Sequence, residues 1–218
     1  VVFVDDVSMP SKEEYGAQPP IELLRQWLDH SSWYDRKELS SFELRDMQLI
    51  CAMGPPSGGK DVTPRFKRHF FTLSISEFED SVMITIFSKI MRWHLETYGF
   101  QEVFGLVVDY VVMGTLDIYK ESLKHLLPTP AKSHYLFNLR DFSRVIQGVL
   151  LSRPESVTNL MGMKRLWVHE VLRVYGDRLV DENDANWLVG QIGRTLKDRM
   201  EDDIDSLFGD FLFLPTDE

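Results

Sequence analysis

The sequence holds a single cysteine, Cys51, among 218 residues. One thiol excludes an internal disulfide and a cysteine-based zinc site, and Cys51 reads as a small buried apolar residue. No apolar run approaches the ~20 residues that a helix needs to cross a bilayer. The longest, around Val107 to Val112, is interrupted by Asp109 and suits a buried helix. No cleavable leader is expected, because the chain opens on an apolar strand with acids behind it. Internal repeats and sustained heptads are lacking, which excludes solenoids and long coiled coils. The histidines, His30, His69, His94, His125, His134 and His169, are scattered without metal-ligand spacing. Net positive charge is lacking as well: 24 Lys and Arg against 34 Asp and Glu leave −10. Such a surface repels phosphate backbones, so neither nucleic acid nor membrane is an expected partner.

What is present is an ordinary globular balance, 44% hydrophobic and 27% charged residues, with length for one large domain or two small ones. The chain changes character near residue 76. Before it, short β-rich runs at 1–5, 47–53 and 69–75 alternate with loops. Val1-Val2-Phe3-Val4 is apolar throughout, as in a strand buried on both faces, and an opening in mid-sheet suggests a piece of a longer chain. A helix is predicted over Pro20 to His30, with Pro20 in its first turn and Ile21, Leu24 and Leu28 on one face. Trp33 to Arg45 has the pattern of a β-hairpin, and Gly54 to Pro64 that of a loop. After residue 76 amphipathic helices are predicted at 76–98, 101–127, 138–151, 157–180 and 184–199, with Asn138, Ser156 and Asn183 as N-caps of the last three. Trp93, Trp167 and Trp187 fall in these helices as core or interface anchors. The order is that of an α/β core followed by an all-α block, with ligands bound where the strands end.

Four stretches could carry chemistry. Val1 to Val4 run into Asp5 and Asp6, and carboxylates at the carboxyl end of a buried strand sit at the ligand edge of an α/β sheet. Burying a carboxylate is costly unless it is paired or metal-bound. The pattern is that of a Walker B strand, whose first acid holds Mg²⁺ and whose second orients the attacking water; strands also end in Asp simply to form a turn. Thr63 to His69 is a compact basic cluster in an acidic chain, with Arg65 and Arg68 one helical turn apart. It serves either as arginine fingers reaching a phosphate in trans or as a solvated turn. Gly54 to Lys60 matches G-x-x-x-x-G-K but is rejected as a phosphate loop. Asp61 stands where Ser or Thr should ligate Mg²⁺, Pro64 offers no N–H, and two prolines stiffen the loop. Arg140, in the first turn of a predicted helix, opposes the helix dipole, a local mismatch that site residues show; Asp141 beside it could instead be its partner.

Taken in order, these pieces resemble the AAA+ modules of dynein heavy chains. The resemblance rests on Val1 to Pro10 (VVFVDDVSMP), Tyr15 to Gln26 (YGAQPPIELLRQ), Ala52 to His69 (AMGPPSGGKDVTPRFKRH), His134 to Gly148 (HYLFNLRDFSRVIQG) and Lys164 to Val180 (KRLWVHEVLRVYGDRLV). The wording is similar to that of the third module of axonemal heavy chains. The resemblance implies a partial AAA+ P-loop NTPase: residues 1–75 form the C-terminal part of a large α/β subdomain whose parallel sheet lacks the Walker A strand. Residues 76–180 form a helical small (lid) subdomain, and 181–218 a linker toward the next module. It implies that Asp5 and Asp6 are the Walker B acids, Asp5 holding Mg²⁺ through water. Arg65 and Arg68 match the arginine-finger region that serves the preceding module, Arg140 the sensor II arginine, and Gly54 the sensor I position. Trp33 to Arg45 resembles the hairpin inserted before the sensor I strand.

Two departures bear on hydrolysis. Asp6 stands where Glu is usual, one methylene shorter, and Gly54 has no polar side chain. The implied ligands are ATP or ADP with Mg²⁺, bound only with a Walker A segment upstream of Val1. The implied partners are neighbouring AAA+ modules and, through other parts of such a protein, dynein intermediate and light chains and microtubules. The implied location is the cytoplasm and cytoskeleton, in the axoneme of cilia or flagella. The alternatives are a non-enzymatic ring scaffold with a vestigial site and an unrelated α/β enzyme whose strand mimics Walker B.

Overall fold

The computed structural model describes residues 1–55 and 61–208. The chain separates into two compact units, Val1–Ser76 and the stretch from Glu77 onward.

In the first unit, β1 (Val2–Val4) pairs in parallel with β4 (Leu49–Cys51), Val2 opposite Leu49 and Val4 opposite Cys51. Between them lie α1 (Pro19–His30) and an antiparallel hairpin of β2 (Ser32–Tyr34) and β3 (Ser41–Glu43). Proline begins α1, where its missing N–H costs nothing, and Ser31 in the left-handed region (φ 53°) ends it by donating its N–H to Trp27 O. Ile21 of α1 is buried with Val7, Val62 and Phe66, and Val4, Leu24, Leu28, Leu49 and Cys51 pack around them. Phe66 belongs to α2 (Pro64–Lys67), one helical turn. Cys51 is half-buried, and burial raises its thiol pKa, as befits a packing residue.

Two strand expectations are corrected. Val1 to Val4 is not buried on both faces: Phe3 and its register partner Ile50 are exposed on the face opposite the core. His69 to Ile75 is not a strand. Phe70 packs on Phe66, ring centroids 4.9 Å apart, but Phe71, Leu73 and Ile75 are 89%, 77% and 90% exposed in irregular backbone. β-propensity is realised only against a neighbouring strand, and no strand among the described residues lies alongside.

The second unit is helical: α3 (Asp80–Thr97), α4 (Gly105–His125), α5 (Leu139–Val149), α6 (Leu160–Tyr175), α7 (Glu182–Met200) and α8 (Ile204–Phe208). α4 is the centre, touching α3, α5, α6 and α7. Val107, Val108, Val111, Val112, Leu116 and Ile118 bury three of its faces, which explains the long apolar run. Trp167 of α6 crosses at Gly114, where a Cβ would stand 3.0 Å from the indole ring. The indole N–H donates to Thr115 Oγ1 (2.9 Å), whose hydroxyl donates in turn to Val111 O (2.7 Å). The indole is thus fully buried with its one donor satisfied.

Asn138 caps α5 as expected, but the next caps are Asn159 and Asp181, not Ser156 and Asn183. Each stretch offers several cap-type residues, and tertiary partners choose among them. Asp181 also pairs with Lys132 (2.5 Å), which holds its carboxyl below the ordinary value. The stretch from 181, expected as a linker, carries α7 and α8. Leu188, Ile192, Leu196, Ile204 and Leu207 lie in the same core as Trp167, so the helical body continues through Phe208.

Two measurements on the helical unit alone, residues 77–208, check this packing. Trp167→Ala removes the central anchor and is expected to cost about 3–5 kcal/mol in denaturant unfolding, whereas Trp167→Phe, which keeps most of the ring volume, costs less. His94, buried on α3 with Nε2 3.2 Å from Ser152 O, has its pKa lowered by burial and further by the Arg153 charge. The unfolded chain takes up this proton near pH 6.5 and the folded chain does not. Stability is therefore fully present above about pH 6.5 and falls as the pH drops below it. Melts followed by circular dichroism between pH 7.5 and 5 should show this slope, and His94→Gln should flatten it. The carboxylates with lowered pKa values, such as Asp29 and Asp181, act only below about pH 4.

Candidate functional site

The parallel pairing sets the geometry of the strand ends. Ala52 N–H donates to Val4 O (2.9 Å) and Val7 N–H to Ala52 O (3.0 Å), so the chain after β1 and the chain after β4 leave along one edge. Asp5 and Asp6 follow β1 there and Gly54 follows β4, and all three are exposed. Asp5 Oδ1 accepts the Asp6 N–H (3.0 Å), and Asp6 O accepts the Met9 N–H (2.8 Å), forming a tight turn. Asp6 takes the left-handed conformation (φ 48°), which Asp tolerates better than most residues. Neither carboxylate is ion-paired among the described residues. Both line a cavity of about 250 Å³ with Val4, Met9, Pro10, Pro20 and Ile21.

Two unpaired carboxylates at a strand-end edge are hard oxygen donors of the kind that Mg²⁺ accepts alongside water and phosphate oxygens. They fit part of such a coordination shell. No group of three or more metal-ligating side chains occurs among the described residues, so the rest would come from water and a ligand. Gly54 is not required by its surroundings. Its φ is not positive, and a Cβ there would meet nothing within 4 Å among the described residues.

Arg65 and Arg68 lie elsewhere in this unit, on α2 and the residue that follows it, with side chains 53% and 61% exposed. Arg65 Nη2 donates to Glu22 Oε1 (2.7 Å), and Arg68 Nη2 to Asp29 Oδ1 (2.5 Å). The Arg68 hydrogen bond is the main reason the Asp29 carboxyl sits below its ordinary pKa. Of the Gly54–Lys60 stretch, residues 56–60 lie outside the described residues. Asp61, which follows it, pairs with Lys67 (2.6 Å), and that contact lowers its carboxyl pKa.

Arg140 belongs to the helical unit. It is exposed in the first turn of α5, donating its backbone N–H to Asn138 Oδ1 (2.8 Å), and its side chain has no carboxylate partner among the described residues. Asp141 is not its partner. Buried, it accepts the Asn138 N–H on Oδ2 (2.9 Å), completing a capping box, while Oδ1 lies 2.8 Å from Arg178 Nη1 and 3.5 Å from Arg144. Arg178 also lies over the Phe137 ring at 4.7 Å and donates to His134 O and Leu136 O. The partners Glu22, Asp29 and Arg178 were absent from the sequence reading. The 22–25–29 spacing on α1 was a signal for the first two; nothing local signals Arg178, which is 37 residues from Asp141.

A parallel strand pair ending in acids, with a helical body following, defines the class: a partial AAA+ large subdomain with its helical lid. Comparison with known proteins agrees. The family model described as the P-loop containing dynein motor region matches residues 1–78, and the AAA+ lid domain model matches residues 111–209. The chain is 52% identical over 209 residues to dynein axonemal heavy chain 12 of Mus musculus, covering 95% of this chain and 7% of that one. It is 50% identical over 196 residues to dynein axonemal heavy chain 3 of Homo sapiens (89% and 5%). With dynein axonemal heavy chain 1 of Homo sapiens it is 47% identical over 199 residues (86% and 5%). The chain belongs to the dynein heavy-chain family. It spans about 7% or less of the length of these relatives.

The open surroundings of Gly54 generate a prediction. Gly54→Asn should fold with a stability change within about 0.5 kcal/mol, the range of an unconstrained surface position. An equal yield of soluble full-length heavy chain and an unchanged limited-proteolysis pattern for the variant check it.

Proposed function

We propose that this chain is the Walker B-to-lid part of the third AAA+ module in an axonemal dynein motor ring. In that ring it helps couple nucleotide binding to microtubule-based ciliary movement. The observation that carries the reading is the Asp5–Asp6 pair at the carboxyl end of β1, beside the end of β4, with no ion-pair partner among the described residues. ATP or ADP with Mg²⁺ is the proposed ligand, and the phosphate loop is supplied from outside these 218 residues. The one G-x-x-x-x-G-K match, at Gly54 to Lys60, is followed by Asp61 and cannot replace it. The proposed partners are the neighbouring AAA+ modules and, through other parts of the heavy chain, intermediate and light chains and microtubules. The proposed location is the axoneme.

Bound Mg²⁺ would neutralise phosphate charge. Asp5 would hold that ion through water, and Asp6 would be the group to orient a water for in-line attack. Arg140, with no carboxylate partner among the described residues, would offer its guanidinium to this module's own nucleotide as sensor II. Arg65 and Arg68, exposed on the surface of the first unit, serve the nucleotide of the preceding module. A second reading has its own support. Gly54 supplies no sensor I side chain although nothing excludes one, and Asp6 is one methylene shorter than Glu. Both favour a module that binds nucleotide and hydrolyses it slowly or not at all.

The 218-residue chain alone is expected to turn over no ATP and to aggregate. Phe71, Leu73 and Ile75 stand exposed, and among the described residues β1 and β4 pair only with each other, which leaves their outer edges open; exposed apolar segments and open strand edges template association. In the full-length heavy chain, Asp5→Ala is expected to abolish Mg²⁺-dependent nucleotide retention by this module. Nucleotide co-purification and turnover assays on both proteins decide the matter. A soluble 218-residue chain with Mg²⁺-dependent turnover that Asp5→Ala abolishes would overturn the proposal that the site needs residues outside this sequence.

A further inference from the structure

Glu22, Arg25 and Asp29 occupy i, i+3 and i+7 on α1, one face over two turns. Arg25 donates from Nε to Glu22 Oε2 and from Nη1 to Asp29 Oδ2, each at 2.7 Å. One guanidinium thus bridges the two carboxylates and sets their spacing. The second oxygen of each faces α2 and accepts from Nη2 of Arg65 or Arg68. His69 Nε2 also lies 3.0 Å from Asp29 Oδ1.

Three properties of this cluster point beyond a simple surface ion pair. Each α2 arginine is tied to carboxylate through one terminal nitrogen only. The remaining guanidinium donors meet no carboxylate among the described residues, and Arg68 Nε faces only His69 Nε2 at 3.3 Å. The charges do not cancel either: three guanidinium groups against two carboxylates leave an excess of +1, in a chain of −10. Finally, the Arg68 hydrogen bond keeps Asp29 charged, and the Glu22 hydrogen bond raises the pKa of Arg25, so the arrangement holds across the physiological range. A long arginine side chain must otherwise give up its rotamer freedom when it meets a phosphate; a side chain already tethered has less to lose.

We propose that Glu22, Arg25 and Asp29 are positioning residues, a carboxylate clamp on α1 that presents Arg65 and Arg68, each by the free edge of its guanidinium, to the terminal phosphate of a nucleotide bound by a neighbouring module. The proposal rests on reading Arg65 and Arg68 as fingers acting in trans, and the two are separable by experiment.

In the full-length heavy chain, steady-state ATP turnover is measured for Arg65→Ala, Arg68→Ala and the double variant Glu22→Gln/Asp29→Asn. A finger is worth on the order of 10³-fold in kcat. A displacement of about 1 Å in a reacting geometry can cost on the order of 100-fold. The expected result is a large loss for at least one arginine variant and a smaller loss, up to about 100-fold in kcat with KM unchanged, for the double variant. Partial rescue is expected in Glu22→Asp/Asp29→Glu, which keeps a carboxylate at both positions and changes only its reach. In the full-length heavy chain the double variant should match the parent in melting temperature, which separates lost positioning from lost folding. If neither arginine variant affects turnover, the finger reading fails and the clamp with it. If the arginine variants lose activity while the double variant keeps it, the clamp alone is overturned. A gain in turnover for the double variant also overturns it, since the acids would then be competing with phosphate for the arginines.

Discussion

The helical unit depends on the crossing of α4 and α6 at Gly114. Without a Cβ on that turn, the Trp167 indole lies against the α4 backbone and completes its one hydrogen bond with Thr115. A buried indole N–H without a partner would carry a desolvation penalty, so ring burial and hydrogen bond stand or fall together. From that crossing the other helices take their places. α3 and α7 cover further sides of α4, and α5 lies along α6, where Gly148 stands so close to Glu170 that a Cβ would overlap its carboxylate. The N-terminus of α5, and Arg140 with it, is then held by the buried Asp141 and the half-buried Arg178 beside it. A buried carboxylate that lost this partner would be left uncompensated, which favours the placement.

The first unit is built differently. Its core has four fully buried apolar residues, and its two three-residue strands share one short parallel ladder. Little apolar area is removed from water, so local devices carry more of the order: proline at the start of α1, a left-handed Ser31 at its end, and the ion-pair cluster joining α1 to α2. The acids at the end of β1 have no ion-pair partner among the described residues, whereas Arg65 and Arg68 are each tethered to a carboxylate of α1.

Much of this could be read along the chain. α1, the hairpin and the long helices followed from periodicity and end signals, and the Asn138 cap from a polar residue before an apolar stripe with Asp141 three residues on. Asp5, Asp6, Gly54, Arg65, Arg68 and Arg140 are proposed as site residues from residue type, order and resemblance, and their roles stay proposals. What failed were judgements that need a neighbour. His69 to Ile75 has strand composition but no strand beside it. Ser156 and Asn183 were reasonable caps, displaced by Asn159 and Asp181. Residues 181–208 were assigned to a linker although their apolar positions complete the helical core.

The sequence by itself determined the class of this protein, because long family-specific strings and helical periodicity are local properties of the chain. It also determined that no disulfide or cysteine-based zinc site holds the chain together. Only the tertiary structure decided which charges meet. Glu22 and Arg65 lie 43 residues apart, and Asp141 and Arg178 lie 37 apart. Such pairs are selected by how helices dock, through burial and the need to match each desolvated charge, and no window along the chain contains both partners.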